Sequence, residues 1–406
     1  MKKIVYIANL RLPTEKAYGI QIAKMCEAFA SQDMDVTLAY PSRKNLEKGD
    51  IFSYYSLKNN FRVMKIGTRD FYLPGFLDKI AFFIKNYFSA KALIKESLKE
   101  NADIYYTRDE LVAYLLSNQS KNVIFECHRF SNKRKLFYSH FKKINLKIVT
   151  ISDGLKEDLV KFGIKDSNIR VERDGVDLDE FKVVMSKEDA RKKFFKNIHW
   201  ESFSRKKIAV YIGHLYNWKG VNVNIFSEVA KYLCDKNPNF IVGLFGGTDK
   251  DNKKLKEDIT KIKKELIKNL ENVHPSLVPM IYIQGRVPHK EVPYILKAAD
   301  CAILTGNESD TISAKYTSPL KMFEYMASGC PIVAQDLPSF REVLNDSNSF
   351  LVKPGDAKAL ADQIALVFDN NVKMVEERAA RARKALEDVK QYTWQERSRK
   401  ILNFII

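Results

Sequence analysis

The sequence has 406 residues, 45% hydrophobic and 29% charged, and a formal net charge of +18. Those proportions exclude a disordered chain, and the length suffices for two or three domains with their own cores. The charge is the one strong deviation. It points to an anionic partner: a phosphorylated ligand, a lipid surface or nucleic acid.

The first segment, "MKKIVYIANLRLP", does not read as a signal peptide, because Asn9 and Arg11 interrupt a short apolar run. Strand-like runs rich in Val, Ile and Tyr follow in order: "KIVYIAN", "DVTLAY", "FRVMKIG", "DIYYT", "NVIFECH" and "KIVTIS". Helical patterns lie between most of them; from Lys16 to Ser31, Ile22, Met25, Cys26 and Phe29 share a face. Two segments, "RDFYLPGFLDKIAFFIKNYFSAKALIKESLK" and "RFSNKRKLFYSHFKKINLK", interleave aromatics with lysines. They read as contacts with an anionic membrane surface. The competing reading makes Phe82, Phe83, Tyr87 and Phe88 core residues and the lysines merely solubilising.

Between Asp177 and Arg205 the chain carries charge without a strand pattern, which predicts a domain boundary. The scheme then repeats with "KIAVYIG", "FIVGLFG", "MIYIQG", "CAILT" and "PIVAQ". The clearest helical stripe runs from Lys250 to Leu270, with Leu255, Ile259, Ile262, Leu266 and Leu270 aligned. Two such series predict an α/β protein of two doubly wound parallel-sheet domains. Ligands of open parallel sheets bind beyond the carboxyl ends of strands, and the cleft between two such domains is the default site. The five cysteines (Cys26, Cys127, Cys234, Cys301, Cys330) form no C-x-x-C pair. That spacing predicts reduced thiols in a cytoplasmic protein and no zinc site. No run of roughly eighteen apolar residues predicts a membrane span.

The strand ends carry the chemistry. In "IAVYIGHLYNWKGV" a strand ends at Gly213, and Lys219-Gly220 open a helix with Ile225, Phe226, Val229 and Leu233 on one face. In "YTSPLKMFEYMASGCPIVAQD", Ser318 suits a helix N-cap, Pro319 the first helical position, and Gly329 the end. Lys321 then stands at the positive end of the helix dipole, where a carboxylate is preferred. Two lysines at helix starts beyond strand ends suggest one shared anion, and a diphosphate fits. The plain alternative pairs Lys321 with Glu324 at i, i+3 and leaves Lys219 solvated. Glu324 could accept from both hydroxyls of a ribose.

"SPLKMFEYMASGCPIVAQDLPSFREVL" resembles the nucleotide-sugar signature of family-4 retaining glycosyltransferases, which have the two-domain GT-B fold. "YIGHLYNWKGV", "TISDGLKEDLVKFGI", "IRVERDGVDLDEF", "AADCAILT" and "YTWQERSRKIL" resemble other segments of that family in order and spacing. The resemblance implies an acceptor-binding domain over residues 1–185 and a nucleotide-sugar domain over 186–388, facing across a cleft. A helix over 389–406 returns to the first domain. It implies that His128, Lys219 and Glu324 are catalytic. Lys219 would neutralise the leaving diphosphate, Glu324 would bind the ribose, and His128 would lie near donor sugar and acceptor. Donor binding would also use Gly19, Gly213, His214, Arg286 and the helix opening at Ser318, Pro319, Leu320 and Lys321. Arg108 and Glu126 line the cleft or form a structural ion pair.

Two positions depart from the family's pattern. His214 stands where arginine is common, and Tyr316 stands where an acid contacts the donor sugar; Glu308 or Asp310 could substitute for it. "GGTDKD" and "DLD" read as solvated loops, so neither a metal nor another cofactor is expected. The implied reaction moves a hexose with retention through an ion-pair path. No enzyme nucleophile is needed, unlike glycosidases with two carboxylates about 5 Å apart. An epimerase of the same architecture and a decayed partner subunit remain as alternatives. The implied partners are a UDP- or GDP-sugar donor, a glycan or lipid-linked acceptor of cell-envelope or polysaccharide synthesis, and an anionic membrane surface. Nucleic acid is not expected, since no recognition motif is visible. The implied location is the cytoplasm, peripheral on the inner face of the membrane; the oligomeric state is left open.

Overall fold

The structure, a computed structural model, describes residues 1–45, 47, 49–71, 74–75, 77–120, 122–195, 206–215, 224–236, 239–248, 253–254, 256–258, 260–261, 264 and 280–406. The chain divides into two compact units, Met1–Gly175 with Trp394–Ile406, and Val176–Thr393.

The first unit is built on a 7-stranded sheet in the order β3-β2-β1-β4-β5-β6-β7. Its strands are β1 Lys3–Ile7, β2 Asp35–Ser42, β3 Arg62–Gly67, β4 Ile104–Thr107, β5 Val123–Cys127, β6 Lys147–Thr150 and β7 Ile169–Val171. The second carries a 6-stranded sheet in the order β10-β9-β8-β11-β12-β13. These strands are β8 Lys207–Ile212, β9 Phe240–Phe245, β10 Met280–Gln284, β11 Cys301–Leu304, β12 Ile332–Gln335 and β13 Phe350–Val352. All pairings are parallel, in register such as Ile4↔Val36 and Ile208↔Ile241. Both are the doubly wound α/β sheets expected. In each, the order reverses beside the first strand, the place where open α/β sheets bind ligands.

The inner strands are legible because helices cover both sheet faces, so they read as continuous apolar runs. Every residue of β5 and of β9 is buried. β7 and β13 are absent from the sequence reading. Each is a sheet edge of 3 residues, too short to show a pattern.

Two boundaries differ from expectation. The units part at Gly175 rather than at residue 185, because Val176 already belongs to the second. Its amide donates to the Tyr392 carbonyl at 2.9 Å, and it bridges to Thr393. Leu178, Phe181 and Met185 pack on that unit's core. The last helix starts at Trp394 rather than 389, since Val389–Tyr392 is a 3-10 turn with Val389 in the second core. The Trp394–Ile405 helix packs on the Ala17–Ala30 helix of the first unit, with the Ser398 hydroxyl donating to the Ala28 carbonyl. The stripe of the Lys250–Leu270 pattern lies outside the described residues.

The two lysine-aromatic segments part company. On the Lys135–Lys143 helix, Tyr138 and Phe141 are core residues. On the Leu77–Leu98 helix, Phe82, Phe83, Tyr87 and Phe88 are exposed, so the core reading fails there.

Candidate functional site

In the second unit, the ends of β8, β9 and β10 meet through glycine. The Gly213 amide donates to the Phe245 carbonyl, and the Gly246 amide to those of Gln284 and Gly285. Gly246 has φ +123, and a Cβ there would fall 2.0 Å from the Gly213 oxygen. Only glycine lets these strand ends approach so closely.

The Leu320–Ser328 helix lies over this ledge. Tyr325 pins it: its hydroxyl accepts from the Ile212 amide at 3.0 Å. Lys321 is one helical turn earlier, so it reaches the same strand end. Its Nζ donates to the Tyr211 hydroxyl at 3.0 Å and stands 4.3 Å from that ring's centre. A Cβ on Gly213 would lie 2.8 Å from Nζ. The ring face holds the ammonium group electrostatically, which explains a cation at a helix start. The alternative Lys321–Glu324 pair is not formed: Lys321 meets Tyr211 and Glu324 meets His289. Pro319, not Ser318, is the N-cap; no side chain caps the helix, and Ser318 is buried. Helix geometry directs the amides of Leu320 and Lys321 outward at this end. Gly329 ends the helix at φ +68, as expected.

Glu324, buried on the same helix, accepts from His289 Nε2 at 2.7 Å. His289 Nδ1 lies 4.0 Å from Glu180 Oε2. His289 falls in the segment "QGRVPHKEV", where sequence reasoning singled out Arg286; a Pro-His at a helix start was the available signal. Arg286 itself is exposed on the loop after β10. The His214 side chain is exposed and its carbonyl accepts from the Tyr211 hydroxyl. Lys219 lies outside the described residues. In the loop after β11, Asp310 accepts from the Ser313 amide at 2.9 Å, a turn-capping role. Glu308 is exposed and Tyr316 buried.

The first unit places a carboxylate, Glu126, fully buried near the end of β5. Gln21 Nε2 donates to it at 2.6 Å, His128 Nε2 meets it at 2.7 Å, and Arg397 Nη2 donates at 2.9 Å. The Tyr106 hydroxyl donates to its other oxygen. Burial alone would raise this carboxyl's pKa. Arg397, His128 and Arg108 outweigh that and hold it well below the usual carboxylate range. Arg108 is not its ion-pair partner; it donates to Gln21 Oε1 at 2.8 Å and pulls on the carboxylate from a distance. The ion pair is with Arg397, which also donates to the carbonyls of Arg173 and Glu172. Asp174 lies 3.9 Å from Arg397, and burial pushes its carboxyl up to about 7.

His128 is 16% exposed. Burial, then Arg108, pushes its imidazole down to about 4 against the pull of Glu126. An ionised carboxylate only accepts, so Nε2 carries the proton and Nδ1 remains an acceptor. Gly19 lies in the first turn of its helix. A Cβ there would fall 2.1 Å from the Tyr55 hydroxyl, which bonds both the amide and the carbonyl of Thr14. Packing requires glycine there.

Among the described residues no group of three or more His, Cys, Asp or Glu side chains could hold a metal ion. Cys26, Cys127, Cys301 and Cys330 are buried free thiols.

Residues 192–386 match the family described as "Glycosyl transferases group 1". An uncharacterized glycosyltransferase of Methanocaldococcus jannaschii is 26% identical over 251 residues, 60% of this chain and 55% of its own. A phosphatidyl-myo-inositol mannosyltransferase of Mycobacterium leprae is 36% identical over 121 residues, 29% of each chain. The match thus spans about half the length of the first relative and less than a third of the second. Anabaena Alr3699/HepE, solved with UDP and glucose, superposes with TM-score 0.69 at 16% identity over 99% of both chains. Sucrose-phosphate synthase from Thermosynechococcus elongatus does so with TM-score 0.69 at 17% identity, over 99% of this chain and 98% of that one. The fold is GT-B, and residues 192–386 of the second unit are similar to a glycosyltransferase domain.

Proposed function

We propose that the chain moves a sugar from a UDP- or GDP-linked donor to a glycan or lipid-linked acceptor, with retention at the anomeric carbon. No bound metal is required in this reading. The observation that carries it is Lys321, held over the Gly213 turn by the Tyr211 ring at a helix start. An ammonium group, outward amides and a glycine ledge converge there, as binding a diphosphate requires.

The diphosphate is bound by the amides of Leu320 and Lys321 and by the Lys321 ammonium group, with Lys219 supplying a further charge. His289 holds one Glu324 oxygen, which leaves the other to accept from the ribose. Arg286 serves the base. His128, neutral with Nδ1 as acceptor, serves the acceptor side of the reaction. Catalysis is electrostatic stabilisation of the departing phosphate plus positioning, and that phosphate takes the acceptor's proton. The buried thiols support a cytoplasmic location.

Thermal unfolding with UDP, GDP or ADP, each with and without EDTA, tests this on the wild type and Glu324→Ala. At one hundred times its dissociation constant a nucleotide adds about 2.7 kcal/mol. The expected result is one stabilising nucleotide, unaffected by EDTA, whose effect Glu324→Ala abolishes. A chain that binds none of them fits a decayed partner subunit. A shift lost with EDTA points to a metal-dependent site.

A further inference from the structure

The outer face of the Leu77–Leu98 helix carries none of the site residues above. Relative exposures are 50% at Ile80, 50% at Phe82, 69% at Phe83, 43% at Ile84, 41% at Tyr87 and 64% at Phe88. Residues 80, 83, 84, 87 and 88 follow the spacing of one helical stripe, which lysines 91 and 95 continue. Ala81, Lys85, Ser89, Leu93 and Ser97 turn inward instead. The inward Lys85 is used up by Asp70, at 3.4 Å.

Scattered exposed hydrophobics need no explanation, but a contiguous aromatic stripe does. The rings pair edge to face, Phe82 with Phe83 at 6.0 Å and Tyr87 with Phe88 at 5.7 Å, so they cover one another only in part. Lys79, Lys91 and Lys95 are exposed on the same helix, Lys91 standing 5.6 Å over the Tyr87 ring. Glu96 is paired with Lys99, so the positive charge of the face is not cancelled there. Among the described residues no helix is long and apolar enough to cross a membrane.

We propose that this face docks on an anionic lipid surface, with the helix lying in the plane of the interface. Aromatic and aliphatic side chains enter the acyl boundary while lysines stay at the headgroups. The lysines decide the occupant. A second copy of this chain would bring like charges together, whereas an anionic bilayer complements them. The surface stands independently of the transfer reaction, and it would bring the enzyme to a lipid-linked acceptor.

The test is flotation with phosphatidylcholine vesicles, with and without phosphatidylglycerol, together with the solution mass of the protein. Binding is expected only to the anionic vesicles and is expected to fall as salt rises. Phe83→Ser/Phe88→Ser should weaken it at least tenfold with the unfolding midpoint unchanged. Lys91→Glu/Lys95→Glu should weaken it by more than tenfold, since each lysine near such a surface contributes about fivefold. No anionic binding, or equal binding by the phenylalanine variant, overturns the proposal. So does a wild-type dimer that this variant dissociates, which would assign the face to a second copy. Nucleotide stabilisation in the same samples reports the donor site separately, so either reading can fail without the other.

Discussion

Glu126 and Glu324 stand beside the strand ends of two sheets with the same winding, yet their surroundings differ. Glu126 takes hydrogen bonds from Gln21, Tyr106, His128 and Arg397, and its charge is answered inside the protein. Among the described residues Glu324 has one side-chain partner, His289. Beside it, the Lys321 charge rests on an aromatic face rather than on a carboxylate. The first unit thus spends its strand-end charges on its own cohesion. In the proposed reading, the second keeps them available for the donor.

The comparison breaks first at Arg397. Arg397→Met leaves Glu126 fully buried without its counter-charge, and removing one partner of such a pair costs about 3–5 kcal/mol. Urea denaturation should show that loss. A loss below about 1 kcal/mol would mean the pair is not the mainstay of the first unit.

Acid sharpens it next. His128 stays neutral in the folded state down to about 4, whereas the unfolded chain takes that proton near 6.5. Between those values the unfolded state binds more protons, so this group makes stability fall with falling pH. Asp174 has the opposite sign: its folded carboxyl holds a proton up to about 7, the unfolded one only to about 3.9. The two oppose each other over nearly the same window. Asp174→Asn should therefore unmask a loss of the order of 3 kcal/mol between pH 6.5 and pH 4, in unfolding curves measured against pH. An unchanged profile would place His128 outside the protected network.

Lys321→Met is the smallest change. Losing a cation from the face of Tyr211 should cost only about 0.5–1 kcal/mol of stability. Any nucleotide-induced rise in the unfolding midpoint should shrink markedly. A large loss of stability with intact nucleotide response would reverse the contrast and make Lys321 a structural residue.

The fold was legible because buried parallel strands print their apolar runs directly on the sequence, and glycines at 213 and 329 fall where the chain must turn. Edge strands β7 and β13 were not, since pairing defines them and 3 residues show no period. Glu324 and Lys321 were visible from helix-start logic. The His289 contact with Glu324 crosses 35 residues, and the Arg397 contact with Glu126 crosses 271. Neither leaves a local trace, and Arg397 reads like any charged residue on an amphipathic terminal helix. The aromatics of the Leu77–Leu98 helix show the converse. Their periodicity fits a helix in either case, and only the packed structure shows that nothing among the described residues covers them.

The reach of Arg397 also sets a schedule for synthesis. Glu126 leaves the ribosome 271 residues before its guanidinium partner exists. At ~5–20 residues per second, that delay is on the order of ten to fifty seconds. Through it, the nascent first sheet holds this carboxylate with Gln21, Tyr106 and His128 but without its counter-charge. The second sheet draws all its strands from Lys207–Val352, so none of its strands waits on the last helix.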